Sequence, residues 1–251
     1  MSKKKHKKMG TGTKIVLVLC LIVFCGSGYY LADYYLKAHQ AQSAFSELAE
    51  DNDDRDLAAL YQKNNDLVGW VEVEGTKIDY PVMQTKDEGE DPEFYLHRDF
   101  DKEYSDSGTP FMDVSSDIYV PTWNWLIYGH HMKSGIMFHD LVKYEDREFY
   151  EKHPTFEFET INQNGQSDTF QVIAACYSKI YPDDRNVFKY YEYAGFTDEE
   201  TFNQYVEGVK SISIYDTGET AVYGDQIVTL STCAYQTEDG RFFIVGKRIG
   251  Q

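Results

Sequence analysis

Cysteine and proline are both scarce in this sequence of 251 residues, which contains four of the first and six of the second. Cys20 and Cys25 fall within one apolar run, so only Cys176 and Cys233 remain for the rest of the chain. Too few cysteines are left for a fold that relies on a disulfide framework. A single Cys176–Cys233 bridge is disfavoured, because it would consume the one cysteine that follows a small-polar run and precedes an arginine.

Basic residues are sparse beyond the N-terminus. Six lysines precede Asp33, the first acidic residue, and the remainder carries 18 basic against 42 acidic residues. Such an acidic body lacks the positive patch that neutralises phosphates, so we expect no nucleic-acid partner. The surplus of negative charge otherwise indicates a solvated, self-repelling surface.

Only one long hydrophobic run is present, from Ile15 to Ala32. As a helix, these 18 residues rise about 1.5 Å each and span about 27 Å, enough to cross the hydrocarbon core of a membrane. The lysines before the run predict a cytoplasmic N-terminus, and Tyr29 and Tyr30 suit the far interface. A cleaved signal peptide is the alternative, but no clean small-x-small cleavage site is present. We therefore predict an uncleaved single-pass anchor.

Residues 33–66 are polar, contain neither glycine nor proline, and predict two helices. Their apolar residues recur at helical spacing, at Ala44, Phe45 and Leu48 and again at Leu57, Leu60 and Tyr61. The acidic run from Asp51 to Asp54 separates the two segments and is predicted to cap the second helix. The same run is not a calcium loop, because it lacks the required glycine and glutamate positions.

Short strand-like runs separated by turn residues dominate from Leu67 onward, which is the pattern of a closed or sandwiched all-β domain. One stretch is helical instead. Thr197 and Glu200 resemble a capping box, and an amphipathic run from Asp198 to Lys210 follows. The predicted organisation is a basic cytoplasmic tail at 1–14, a transmembrane segment at 15–32, a helical segment at 33–66 and a β domain at 67–251.

The most informative stretch is residues 227–233, where an apolar run leads through Ser231 and Thr232 to Cys233. This pattern predicts a buried strand that presents a thiol at its C-terminal end. A second apolar run begins after Arg241, so a hairpin-like return would place the guanidinium beside the thiol. A thiol that attacks a carbonyl needs a proton donor and acceptor, and it needs a hydrogen-bond donor for the developing oxyanion.

His130 is the candidate acid and base, because it follows another strand-like run, 125–129. Adjacent residues on a strand face opposite sides, so only one of His130 and His131 can meet Cys233. A cysteine on a strand is more often a small buried hydrophobe than a nucleophile, so these residues alone leave catalysis open. No metal-ligand spacing with a cysteine or a carboxylate is present at His97, His139 or His153, so we predict no metal.

Thr229-Leu230-Ser231-Thr232-Cys233 with Arg241, preceded by Ile127-Tyr128-Gly129-His130, resembles the signature of sortases, the cysteine transpeptidases of Gram-positive cell surfaces. The resemblance is greatest to class B and extends from about Leu67 to Ile249. It implies a mainly-β fold, a sortase-type closed β-barrel with N-terminal helices and one helix in the connection before the cysteine strand.

The resemblance also implies roles for individual residues. Cys233 would be the nucleophile, His130 the general acid and base, and Arg241 the stabiliser of the oxyanion or substrate. Candidate substrate-binding residues are Asn124, Ser231 and Thr232. No cofactor is expected.

The implied substrates are exported surface proteins with a C-terminal sorting signal, of the Asn-Pro-x-Thr type for a class B member. The implied acceptor is an amine of peptidoglycan or of its lipid-linked precursor, with the catalytic domain outside the cell membrane. Two alternatives remain. One is a housekeeping or pilin-polymerising sortase of another class, disfavoured because we see neither a lid segment nor a second membrane span before Gln251. The other is a non-catalytic surface binding module.

Overall fold

The computed structural model describes residues 10–50, 56–85, 91–120, 122–163, 166–181 and 186–250. These residues form four α-helices and eight β-strands. The helices are α1 (Thr11–Glu50), α2 (Leu57–Lys63), α3 (Arg147–Lys152) and α4 (Glu199–Ile212). The strands are β1 (Leu67–Glu72), β2 (Asp79–Met83), β3 (Phe111–Met112), β4 (Asn124–Tyr128), β5 (Thr155–Thr160), β6 (Asp168–Lys179), β7 (Ile227–Cys233) and β8 (Gly240–Ile249).

The strands close into one barrel in the order β1-β2-β3-β4-β7-β8-β6-β5, and β5 pairs with β1 to complete the ring. Two pairs are parallel, β2 with β3 and β4 with β7, and the others are antiparallel. Closure satisfies the backbone groups that an open sheet would leave unpaired at its edges. The mainly-β closed barrel expected from the sequence is confirmed.

Helix α4 lies in the connection between β6 and β7, where the sequence predicted a helix. Its N-cap is Asp198, whose carboxylate accepts a hydrogen bond from the Thr201 backbone N–H at 2.8 Å, so the cap lies one residue later than the predicted Thr197. Its apolar face is buried against β6, β7 and β8 through four side chains: Phe202, Tyr205, Val206 and Val209. Burial of this face, rather than helix propensity alone, stabilises the connection.

Within the part of the chain that the structure describes, α1 is the one helix that is long and apolar enough to cross a membrane. Its most apolar window has a mean hydropathy of 2.3. The helix continues without a break past the predicted end of the membrane segment at Ala32, because neither glycine nor proline interrupts it from Tyr29 to Glu50. The chain divides into two compact units, one up to Gln40 and one from Ala41 onward.

The predicted acidic break at Asp51–Asp54 lies outside the described residues. Helix α2 begins after Asp56, whose carboxylate accepts a hydrogen bond from the Ala59 backbone N–H at 3.0 Å. A neighbouring aspartate that the sequence analysis did not single out therefore caps this helix.

The last turns of α1 belong to the second unit, where they contact β2. Phe45 is 2% exposed and its ring meets the Tyr80 ring edge-on, with the centroids 5.4 Å apart. The Tyr80 hydroxyl donates to Gln42 Oε1 at 2.6 Å and accepts from the Met137 backbone N–H at 3.0 Å. Tyr80 thus connects the end of α1 to the segment that follows His130.

We expect Phe45→Ala to destabilise the barrel unit. Truncation of a buried phenylalanine costs about 3–5 kcal/mol, and each kcal/mol lowers the Tm of a domain this size by about 2–4 °C. Thermal unfolding of a protein that begins at Asp33 measures the effect. Glu47→Ala, an exposed neighbour on the same helix, is the control and should leave the Tm unchanged. Equal melting temperatures for Phe45→Ala and the parent would show that α1 is not part of this core.

Candidate active site

A cavity of about 530 Å³ opens beside the carboxyl ends of β4 and β7. Its lining includes Cys233, His130 and Arg241, the three residues assigned to catalysis from the sequence. The remaining lining residues are Pro92, Glu93, Leu96, Phe111, Asp113, Val114, Ser115, Tyr128, Gly129, Ile180, Tyr190, Tyr191, Ser231 and Thr232.

The parallel pairing of β4 with β7 brings the histidine and the cysteine to one edge of the barrel. Tyr128 pairs with Ser231 at the end of the shared register. Beyond that pair, the Gly129 backbone N–H donates to the Ser231 carbonyl at 3.0 Å, and the Thr232 hydroxyl donates to the Gly129 carbonyl at 2.7 Å. Because parallel strands end at the same edge, the residues that follow them emerge together.

Arg241 reaches the site through the antiparallel pairing of β7 with β8, in which it lies directly opposite Cys233. The predicted hairpin-like return is therefore confirmed. Arg241 Nη1 donates to the Gly240 carbonyl oxygen at 3.0 Å and lies 3.4 Å from the Asp239 carbonyl oxygen. A guanidinium has five N–H groups in a planar fork, so donors remain for an oxygen bound in the cavity.

The His130 ring is half-buried, and its Nε2 lies 2.8 Å from the Leu96 carbonyl oxygen. A carbonyl only accepts, so the proton sits on Nε2 and Nδ1 is left as the acceptor of the neutral ring. Burial lowers the pKa of His130, and the neighbouring His97 adds to this effect, while the Leu96 hydrogen bond opposes it. A neutral imidazole at neutral pH is able to accept a proton.

His131 does not line the cavity, but its ring contacts the backbone of the cysteine. Its Nδ1 lies 2.8 Å from the Cys233 carbonyl oxygen. This contact is with the main chain, so the expectation that only one of the two histidines meets the Cys233 thiol stays a prediction. Strand β4 ends at Tyr128, so neither histidine lies on the strand and the alternation of faces does not apply.

The three candidate substrate-binding residues have different positions. Ser231 and Thr232 line the cavity, and the Ser231 hydroxyl lies 2.6 Å from the Tyr190 hydroxyl. Asn124 is fully buried and is not among the lining residues. Its Nδ2 donates to the Tyr193 carbonyl and its Oδ1 accepts from the Thr229 hydroxyl, both at 2.8 Å. The Asn124 side chain is therefore engaged with the β6–β7 connection and with β7.

Leu96 and Tyr190 are two residues of the site that sequence reasoning missed. Leu96 belongs to a 3₁₀ turn, Phe94–His97, and contributes a backbone carbonyl, which leaves no side-chain signature in the sequence. The Tyr190 ring is fully buried and stacks on the Phe243 ring with the centroids 3.9 Å apart. Burial raises the pKa of Tyr190, so its hydroxyl stays protonated and able to bond Ser231. The aromatic run at 188–193 was the available signal.

Among the described residues, no group of three or more His, Cys, Asp and Glu side chains has the arrangement of a metal site. The cavity instead combines a thiol, an imidazole and a guanidinium. Chemically, these groups are able to act as a nucleophile, a proton acceptor and an anion-stabilising donor, which are the requirements for acyl transfer.

Comparisons with known proteins agree with this chemistry. A family model described as the sortase domain matches residues 71–249. The chain is 35% identical over 196 residues to sortase B of Listeria monocytogenes, a match that covers 77% of this chain and 74% of the relative. It is 29% identical over 257 residues to sortase B of Staphylococcus aureus, with 98% of both chains covered.

Solved structures give the same result. The sortase B of B. anthracis, in complex with AAEK1, superposes with a TM-score of 0.71 at 27% identity and covers 86% of this chain and 100% of its own. The sortase B–substrate complex of Staphylococcus aureus gives a TM-score of 0.70 at 27% identity, with coverages of 85% and 98%. Because the family match spans most of the chain and these relatives are all class B enzymes, the chain belongs to the sortase family of cysteine transpeptidases and is of class B.

Proposed function

We propose that this chain joins exported proteins to the cell wall through a thioester on Cys233. Cell-wall sorting by transpeptidation is the general activity of its family. The finer proposal is that Cys233 attacks the threonyl carbonyl of a C-terminal sorting signal. An amine of peptidoglycan, or of its lipid-linked precursor, then takes the acyl group. The observation that carries the proposal is the convergence of Cys233, His130 and Arg241 on one cavity.

In the first half-reaction, the sulfur of Cys233 forms a bond to the carbonyl carbon while His130 takes the thiol proton. The tetrahedral intermediate collapses as the carbon–nitrogen bond breaks, and the imidazolium gives its proton to the departing amine. The products are a thioester on the enzyme and the C-terminal remnant of the sorting signal.

In the second half-reaction, the acceptor amine attacks the thioester and gives a proton to His130. The carbon–sulfur bond breaks, the thiol is regenerated and a new amide bond forms. The hydrogen bond between His130 Nε2–H and the Leu96 carbonyl orients the ring in both halves, so that Nδ1 exchanges the proton.

Arg241 is proposed to stabilise the oxyanion of both tetrahedral intermediates, together with a backbone N–H. Its position directly across from Cys233 supports this role. Ser231 and Thr232 are retained as proposed substrate contacts because they line the cavity. Asn124 is assigned instead to the support of β7, since its side-chain amide is bonded to Tyr193 and Thr229.

The apolar helix α1 supports a single-pass membrane anchor for the enzyme, in keeping with the cell-surface setting of its family. We propose that the N-terminus is cytoplasmic and that the barrel faces outward. This orientation would bring the cavity to exported substrates and to wall precursors on the same side of the membrane.

Cys233→Ala should abolish cleavage of a fluorogenic sorting peptide, because it removes the nucleophile. Cys176→Ala is the matched control and should retain activity. Cys176 is fully buried, its thiol donates to the Val209 carbonyl, and burial raises its pKa well above the usual range. The assay uses freshly purified Cys233→Ala protein, and mass spectrometry identifies the products. Cleavage that survives this substitution would refute the proposed nucleophile.

His130→Ala should abolish turnover while the fold remains intact, since no other imidazole lines the cavity in the described part of the chain. His131→Ala should cost far less than His130→Ala, because His131 lies outside the cavity lining and takes no part in the proposed proton transfers. The measurements are kcat/KM on the sorting peptide and the Tm of each variant. A larger loss for His131→Ala than for His130→Ala would reverse the assignment of the general acid and base.

Arg241→Ala should lower kcat/KM by about 100- to 1000-fold, the usual effect of removing an oxyanion donor. Arg241→Lys keeps the charge but loses the planar fork, so we expect it to remain seriously impaired. Alkylation of Cys233 by iodoacetamide needs no oxyanion donor and should change less than peptide cleavage. Near-wild-type cleavage by Arg241→Ala would remove the arginine from the mechanism, and a collapsed Tm would make its role structural.

A further inference from the structure

Two segments at the carboxyl ends of β4 and β7 carry the reacting groups. Residues 129–137 follow β4 and include His130, and residues 233–239 begin at Cys233, the last residue of β7. The last β4–β7 register pair is Tyr128 with Ser231, and the hydrogen bonds of Gly129 extend the contact only as far as Thr232, so the β4–β7 pairing does not itself join His130 to Cys233.

A reciprocal pair of hydrogen bonds joins these segments. The His131 ring nitrogen Nδ1 lies 2.8 Å from the Cys233 carbonyl oxygen, and the Tyr235 hydroxyl donates to the His131 carbonyl at 2.6 Å. The two rings are also in contact, with their centroids 4.8 Å apart. Each segment therefore supplies one donor to the other, and one of the acceptors belongs to the proposed nucleophile residue itself.

The surroundings of His131 fix the state of its ring. Since a carbonyl only accepts, the proton must be on Nδ1 for the bond to Cys233 to form. Burial lowers the pKa of His131, the hydrogen bond to Cys233 opposes this effect, and the neighbouring His139 ring, whose centroid lies 4.7 Å away in an edge-on contact, adds to it. The ring is therefore a neutral donor that is held in place, on a residue adjacent to His130.

We infer that His131 and Tyr235 form a clamp that sets the position of the Cys233 thiol relative to the His130 imidazole, an inference that rests on the proposed function. Both are positioning residues, since neither lines the cavity. Their bonds join Cys233 to the residue that directly follows His130 in the chain. A displacement of reacting groups by about 1 Å costs on the order of 100-fold in rate, so the clamp acts on kcat more than on KM.

The test compares His131→Ala with His131→Asn in the full chain, held in detergent micelles. An asparagine amide nitrogen is separated from Cα by the same number of bonds as histidine Nδ1, so it is able to donate to the Cys233 carbonyl. We expect His131→Ala to lower kcat on a sorting peptide by about 10- to 100-fold, with KM within about twofold of wild type. His131→Asn should restore most of the loss.

Tyr235→Phe tests the second bond, with Tyr223→Phe as its matched control. Tyr223 is also an exposed tyrosine whose hydroxyl donates to a backbone carbonyl, that of Thr197 at 3.1 Å, but it does not line the cavity. We expect a fall in kcat of about 3- to 10-fold for Tyr235→Phe, the worth of one net hydrogen bond, and no change for Tyr223→Phe. The double variant His131→Ala/Tyr235→Phe should cost little more than His131→Ala, because both changes open one clamp.

Hydrogen exchange gives a readout that does not depend on activity. The clamp predicts faster amide exchange at residues 234–239 in His131→Ala, and near-wild-type exchange in His131→Asn. Unchanged kcat and exchange in His131→Ala would overturn the clamp, as would an asparagine variant that is as impaired as the alanine variant. Additive effects of His131→Ala and Tyr235→Phe on kcat in the double variant would also overturn it. So would a loss of activity that is fully explained by a lowered Tm. Failure of the proposed function would give a different result, namely peptide cleavage that persists in Cys233→Ala protein whose His131 and Tyr235 are unchanged.

Discussion

The active site depends on the parallel pairing of β4 with β7. Two parallel strands cannot be joined by a tight turn, so the chain forms β5, β6 and α4 between β4 and β7. Parallel strands are also normally covered on both faces, and nearly every residue of β4 and β7 is buried. The arrangement delivers His130 and Cys233 to one edge, although about a hundred residues separate them. The β7–β8 hairpin then adds Arg241 across from the cysteine.

The long connection supplies hydrogen-bond partners to buried polar residues of the cysteine strand. Thr229 and Ser231 are almost fully buried, and an unsatisfied buried hydroxyl costs about 1–3 kcal/mol. Tyr205 on α4 bonds the Thr229 hydroxyl, and Tyr190 bonds that of Ser231. The same tyrosine rings fill the core between α4 and the barrel. The connection therefore supplies hydrogen-bond partners to the strand that carries Cys233, as well as forming the crossover.

The sequence predicted the elements whose signal is local. The apolar run that ends at Cys233, the return at Arg241 and the helix after Thr197 each follow from hydrophobic pattern and capping, and the structure contains all three. The carbonyl of Leu96 could not be predicted, because it is a backbone group in a 3₁₀ turn. The contact of His131 with Cys233 was missed because a strand was assumed to extend past Tyr128. Asn124 was a candidate substrate contact, but the structure buries its side chain and bonds it to Tyr193 and Thr229, and the sequence has no local signal for either partner.

The environment of the site suits the proposed reaction, in which charges form only as it proceeds. Desolvation lowers the pKa of His130, so the resting ring is neutral, and in the proposed mechanism it becomes positive only when it takes a proton from the thiol or the amine. The oxyanion likewise exists only in the tetrahedral intermediates. Arg241 is the one arginine or lysine among the described residues that line the cavity, and it is anchored by backbone carbonyls before substrate arrives. In its proposed role, such a preorganised donor would stabilise charge that exists only in the transition state more than it stabilises the bound substrate, which is the condition for raising kcat.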